Sequence, residues 1–256
     1  MTTAVCACDA NRADEPKPLV LFAAASIADA LEDIADRFTQ ETNVPVAINR
    51  GASGSLYKQI QLGAACDVFT PASMGYLDQL ESRGLLGGSS HRILARNQLV
   101  LVQNGDGEES WPNVNRLLTQ SDETRCVIAN PDHAPAGQYA REALITAGIW
   151  NPLKDRLVLA NDVRMAARYV ADGAIAHGIV YATDARAFEE DIGVVYRFPA
   201  GTHTAIVYAG AVCESASNPA AAAAFLTFAG SPPVDDIWRK HGFLARPRAA
   251  DASRSP

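Results

Sequence analysis

Short apolar runs alternate with longer amphipathic segments along nearly the whole chain, and no other feature narrows the fold as far. Leu19–Ala24, Cys126–Ala129 and Leu157–Ala160 are apolar, short and bounded by turn residues, and they read as buried strands. Val44–Asn49, Cys66–Thr70, Leu99–Gln103, Ile179–Tyr181, Val194–Phe198 and Ala205–Val212 complete the strand set. Between the first two strands, Ile27, Leu31, Ile34, Ala35 and Phe38 recur at a period of about 3.6. They predict a helix over Ile27–Gln40, opened by Ser26 and Asp29 as a capping box. Further helices are predicted over Ser55–Leu62, Gly75–Ser82, Val114–Thr119, Gly137–Ala147, Val163–Asp172, Thr183–Phe188, Asn218–Phe228 and Val234–Lys240. This alternation favours mostly parallel sheets with helices on both faces, an α/β architecture. In such sheets a ligand sits beyond the carboxyl ends of the strands, at the following helix starts.

Four of those starts put a small or hydroxyl residue at the turn: Ala25-Ser26, Ala52-Ser53-Gly54-Ser55, Pro135-Ala136-Gly137 and Asp162-Val163. A helix N-terminus exposes N–H groups without intrahelical acceptors, at the positive end of the helix dipole, and attracts anions. No Lys or Arg stands at the centre of any of the four, which predicts a small anion held by neutral donors. Ser26 and Ser53 each offer a hydroxyl and an N–H, whereas Ala136 and Val163 offer an N–H alone. Tyr181, at a strand end, can turn its phenol into the same cleft. Each has an ordinary alternative when taken singly. Ser26 and Asp162 suit helix caps, residues 51–55 a Gly/Ser turn, and Tyr181 plain packing. The stretch around Ser53 also invites a serine-hydrolase reading. A nucleophile elbow needs Gly two residues to either side of the Ser, and Ser55 holds the second place.

Bulk properties set outer limits. With 256 residues, 48% hydrophobic and 20% charged, the chain can build a large core, as one domain or two lobes. A net charge of −7 gives no general positive field for nucleic acid, so an anion must be met by local dipoles. No apolar run approaches the roughly 18 residues of a membrane span. The five cysteines include no Cys-x-x-Cys, and Cys66, Cys126 and Cys213 lie in apolar runs where burial is expected. The five histidines show no metal-ligand spacing. Residues 1–18 lack the basic and apolar regions of a signal peptide and are expected to be a disordered leader or signal remnant. Residues 244–256 are expected to be a disordered tail.

Six ordered motifs carry a family resemblance: Ala23-Ala-Ala-Ser26 after a strand, Gly63-Ala-x-x-Asp67-Val-Phe, Pro131-Asp-His-x-Pro135-Ala-Gly137 with Tyr139-Ala, Asp162-Val-Arg164, Gly178-Ile-Val-Tyr181 and Gly242-Phe. From about Leu19 to Phe243 the chain resembles the periplasmic molybdate-binding proteins of ABC importers, the ModA family. The resemblance implies a two-lobed periplasmic binding protein type II fold with a hinged cleft. It implies lobe I over 19–96 plus 208–243 and lobe II over 97–207. It also implies molybdate or tungstate as ligand, held by Ser26, Ser53, Ala136, Val163 and Tyr181, with no cofactor and no catalysis. A periplasmic monomer serving a membrane permease follows. Two other classes are a hydrolase using Ser53 and the effector domain of a transcription regulator. The regulator would need a helix-turn-helix of about 60 residues before Leu19. Within the binding-protein class, sulfate is the alternative ligand.

Overall fold

The computed structural model describes residues 17–88, 91–107, 111–119 and 124–244. The expected leader and tail lie outside them, apart from residues 17, 18 and 244. The chain begins with β1 (Leu19–Ala24), α1 (Ala25–Thr42), β2 (Val46–Gly51), α2 (Ser53–Gln61), β3 (Val68–Thr70), α3 (Met74–Glu81) and β4 (Arg92–Arg96). A second run follows: β5 (Leu99–Asn104), α4 (Arg116–Thr119), β6 (Cys126–Ala129), α5 (Pro135–Thr146), α6 (Trp150–Leu153), β7 (Leu157–Ala160), α7 (Val163–Ala171), β8 (His177–Tyr181), α8 (Ala182–Ala187) and β9 (Ile192–Arg197). The chain then returns through β10 (Val207–Val212), α9 (Pro219–Ala229) and α10 (Asp235–Lys240).

These strands form two five-stranded sheets of matching design, ordered β2-β1-β3-β10-β4 and β7-β6-β8-β5-β9. Both sheets are mostly parallel, four strands running one way and a single strand, β10 or β5, running against them. In the first, β1 runs parallel to β2 and β3, while β10 is antiparallel to β3 and β4. In the second, β6 is parallel to β7 and β8, while β5 is antiparallel to β8 and β9. The reason lies in the connections. Strands joined by a helical crossover must run parallel. β5 and β10 instead enter directly from segments that cross between the sheets, at 97–98 and 198–206, so no crossover fixes their direction.

Helix α1 shows how the pattern becomes packing. Ile27, Leu31, Ile34, Ala35 and Phe38 are all buried, and Phe38 meets Phe225 of α9 edge-on at 5.3 Å between ring centroids. The helix stops at Asn43, whose left-handed backbone (φ 57°) returns its N–H to the carbonyl of Thr39. Its start differs from the sequence expectation. Ala24 is the cap position, no side chain caps the helix, and Ser26 is already its second residue. Cys66, Cys126 and Cys213 are buried, as their apolar surroundings suggested.

Candidate functional site

The carboxyl ends of β1, β2 and β7 lead within two residues into α1, α2 and α7, and that of β6 leads through the loop 130–134 into α5. Those four helix starts converge from the two sheets on one small cavity of about 20 Å³. Ser26, Ser53, Ala136, Val163 and Tyr181, dispersed over 156 positions of sequence (181 − 26 + 1), all line it. Among the lining residues only Asp162 and Tyr181 can titrate, and no Lys, Arg or His is present. Asp162 acts as the helix cap that the simplest reading gave it, its Oδ1 accepting the N–H of Met165 at 2.9 Å. His133 does not line the cavity, and its Nε2 lies 3.0 Å from the carbonyl oxygen of Asn161.

The five residues expected as ligands each carry a donor group at the cavity. Ser26 and Ala136 are second residues of their helices and Ser53 and Val163 are first residues, positions whose N–H groups have no intrahelical acceptor. Ser53 is fully buried, and its Oγ accepts the N–H of Ala72 at 3.0 Å, which leaves the hydroxyl proton to be given elsewhere. Tyr181 Oη is buried with no hydrogen-bond partner among the described residues. Burial drives its pKa well above the usual phenol range, so it stays a neutral O–H. A buried donor without an acceptor costs about 1–3 kcal/mol, and an oxyanion in the cavity would supply the acceptor.

Two glycines allow the helix starts to come this close. A Cβ on Gly54 would stand 2.5 Å from the carbonyl oxygen of His133, the same oxygen that accepts the Gly54 N–H at 2.8 Å. A Cβ on Gly137 would collide with the Ala129 carbonyl at the end of β6. The halves also meet where Tyr139 Oη donates to the Ala72 carbonyl at 3.1 Å.

A second layer escaped the sequence reading. Ser26 Oγ bonds Tyr208 Oη at 2.8 Å instead of capping α1. Asn97, at the first crossing between the sheets, donates from Nδ2 to Thr183 Oγ1 at 2.8 Å and to Tyr208 Oη at 3.2 Å. Arg164 reaches from α7 to Asp29 of α1 at 2.8 Å, and its Nε lies 3.4 Å from Asp184 without hydrogen-bond geometry. Arg50 pairs with Asp29 and Glu32 beside it. Burial raises the Asp184 carboxyl to about 6, against the opposing pull of Arg164. One signal for this layer was present in the sequence: Tyr208 is a hydroxyl-bearing residue inside an otherwise apolar strand.

Two mixed α/β sheets, crossed twice by the chain and facing a cavity ringed by helix starts, define a two-lobed binding protein of the periplasmic type. The chain belongs to the bacterial extracellular solute-binding protein family, whose pattern matches residues 19–244. It is 35% identical over 240 residues to the molybdate-binding protein ModA of Escherichia coli, covering 91% of each chain. The periplasmic molybdate-binding protein of Azotobacter vinelandii superposes with a TM-score of 0.79 at 25% identity, covering 90% of this chain and all of that one. The sulfate-binding protein SubI of Mycobacterium tuberculosis gives the same TM-score of 0.79 at 16% identity, covering 93% of this chain and 90% of that one. That last likeness is one of fold alone, so the fold does not select the anion. The relatives are solute-binding proteins. Ser53 takes an N–H from Ala72, and no histidine hydrogen-bonds its hydroxyl among the described residues. No described helix is long and apolar enough to cross a membrane.

Proposed function

We propose that this chain captures molybdate, and tungstate with it, as the substrate-binding component of an ABC importer. Ser26, Ser53, Ala136, Val163 and Tyr181 are the ligand set. The observation that carries this reading is the orphaned Tyr181 hydroxyl facing a cavity ringed by four helix starts and free of cationic side chains. A tetrahedral dianion loses much hydration on burial, and prearranged dipoles replace it. Neutral donors let it leave again for a permease. A wall of donors also disfavours monohydrogen phosphate, whose own O–H would need an acceptor. Sulfate carries no such proton, so its rejection rests on size.

The lobes in this reading are 19–96 plus 208–243 and 97–207, hinged at the two crossings, and anion binding favours their closure. The protein works as a monomer outside the cytoplasm, with a membrane permease as partner. It uses no cofactor, because the anion is cargo.

Thermal melts test the proposal. At about 100 times its dissociation constant a ligand adds ~2.7 kcal/mol to stability. Molybdate and tungstate are expected to raise the Tm of anion-free protein by several degrees, with phosphate doing little. An unchanged Tm with molybdate would sink the proposal. A larger shift with sulfate than with molybdate would reassign the ligand.

A further inference from the structure

The geometry points to Tyr208, held by Asn97, as a specificity-determining residue: it fixes Ser26 as an obligate proton donor. The inference deepens the oxyanion-binding reading and rests on it. The Asn97 amide cannot be turned around, because its Oδ1 accepts the N–H of Gln98 at 2.9 Å. Its Nδ2 therefore faces Thr183 Oγ1 at 2.8 Å and Tyr208 Oη at 3.2 Å, and those two bonds use both of its protons. Tyr208 Oη is thus an acceptor toward Asn97, and its single proton must go elsewhere. Ser26 Oγ, at 2.8 Å, is the acceptor within its reach among the described residues. Tyr208 is fully buried, and burial drives its pKa far up, so that proton is retained. Ser26 Oγ consequently receives a hydrogen bond from behind, and its own proton is directed forward into the cavity it lines.

The consequence concerns which anions are refused. A serine hydroxyl is ordinarily ambivalent and can accept from a protonated oxyanion as easily as it donates to a bare one. Tyr208 occupies one lone pair of Ser26 Oγ, so accepting from a protonated anion as well would leave the buried Ser26 proton without an acceptor. Proton-bearing anions are therefore excluded by a residue that does not line the cavity, and the two crossing segments carry the parts that do it. Asn97 sits at the first crossing and Tyr208 at the start of the strand after the second.

Tyr208→Phe tests this directly, because the ring and its edge-on contacts with Phe243 and Tyr181 are kept. Parent and variant would be titrated calorimetrically with molybdate, sulfate and phosphate above neutral pH, where phosphate is a monohydrogen dianion, with weak ligands read by displacement. The phosphate-to-molybdate affinity ratio is expected to rise about tenfold, while the sulfate-to-molybdate ratio stays within about twofold. In a Ser26→Ala background the same substitution should leave both ratios where they were. Asn97→Ala, which lets Tyr208 Oη turn, should move the phosphate ratio in the same direction and serves if Tyr208→Phe fails to fold. Parent-like ratios in Tyr208→Phe, or phosphate and sulfate ratios that rise together, would overturn the assignment while leaving molybdate binding intact. A parent that binds none of these anions would instead overturn the function on which it rests.

Discussion

Ser26 and Tyr181 carry the opposed demands of a binding site, and the two separate cleanly under mutation. Tyr181→Phe removes a buried hydroxyl that has no partner among the described residues. Anion-free stability is expected to rise by about 1 kcal/mol, while molybdate affinity falls about 10- to 150-fold. Urea melts of stripped protein beside calorimetry would show both signs; a loss of both stability and affinity would mean that Tyr181 is a packing residue. Ser26→Ala is expected to lose a similar factor in affinity and to destabilise by about 1 kcal/mol. Its cost in stability arises at Tyr208, whose hydroxyl loses its acceptor, and not at a helix cap. Tyr208→Phe in the Ser26→Ala background should therefore restore stability.

At the scale of elements, the approach of α2 to the loop before α5 is set by one missing side chain. Gly54→Ala would push against the His133 carbonyl of the other half. Alanine is also the better helix residue by about 1 kcal/mol. The Tyr76 hydroxyl of the same half, 2.7 Å from that Cβ, is a side-chain tip that can swing aside, whereas the His133 carbonyl is backbone, so the free protein is expected to melt close to the parent while molybdate affinity drops. A Tm loss without an affinity loss would place the strain inside one half.

The helix starts were legible because strand and helix periods differ and each transition is punctuated by small residues. The antiparallel order of β5 and β10 was not legible, since strand direction there depends on partners far away in sequence. Strand β4 was hidden by Arg92 and Arg96 at its ends, on an edge where charge is tolerated. The five proposed ligand positions stood at helix starts and a strand end, and the family resemblance joined them into one set. Asn97, Tyr208 and Asp184 were not legible, because an isolated polar residue in a buried run has no periodicity to expose it. The Ser26–Asp29 pattern misled for a related reason: the helix starts two residues earlier, and the hydroxyl found a better partner across the sheet.

Over the whole molecule, the carboxyl that burial raises is Asp184, which lies outside the cavity lining. The Asp184 carboxyl stands at about 6 in the folded protein against a reference of 3.8. The folded state therefore binds this proton more tightly than the unfolded state. Its contribution to stability is full below about pH 4 and is lost as pH rises to about 6, an effect of about 3 kcal/mol, and it is flat above that. Asp184→Asn should flatten the stability profile across that window, as measured by urea melts at stepped pH; an unaltered slope would show that another group titrates. Molybdate affinity, with no cationic residue lining the cavity, should vary less than about threefold from about pH 7 to about pH 8.5. A tenfold fall across that range, abolished by His133→Gln, would expose a charged ligand.

The placement of β10 also sets an order of assembly. This strand lies inside the first sheet, between β3 and β4, yet it is made only after every strand of the second sheet. A chain emerging from its N-terminus can complete the β5–β9 sheet from one continuous stretch, while the sheet that began first still lacks the strand joining β4 to it. In refolding followed by pulsed hydrogen exchange, amides of the second sheet should gain protection before those of β4. The half that begins the protein is the last to be finished, so the first sheet and the Ser26–Tyr208 bond behind the cavity form only once β10 has been delivered.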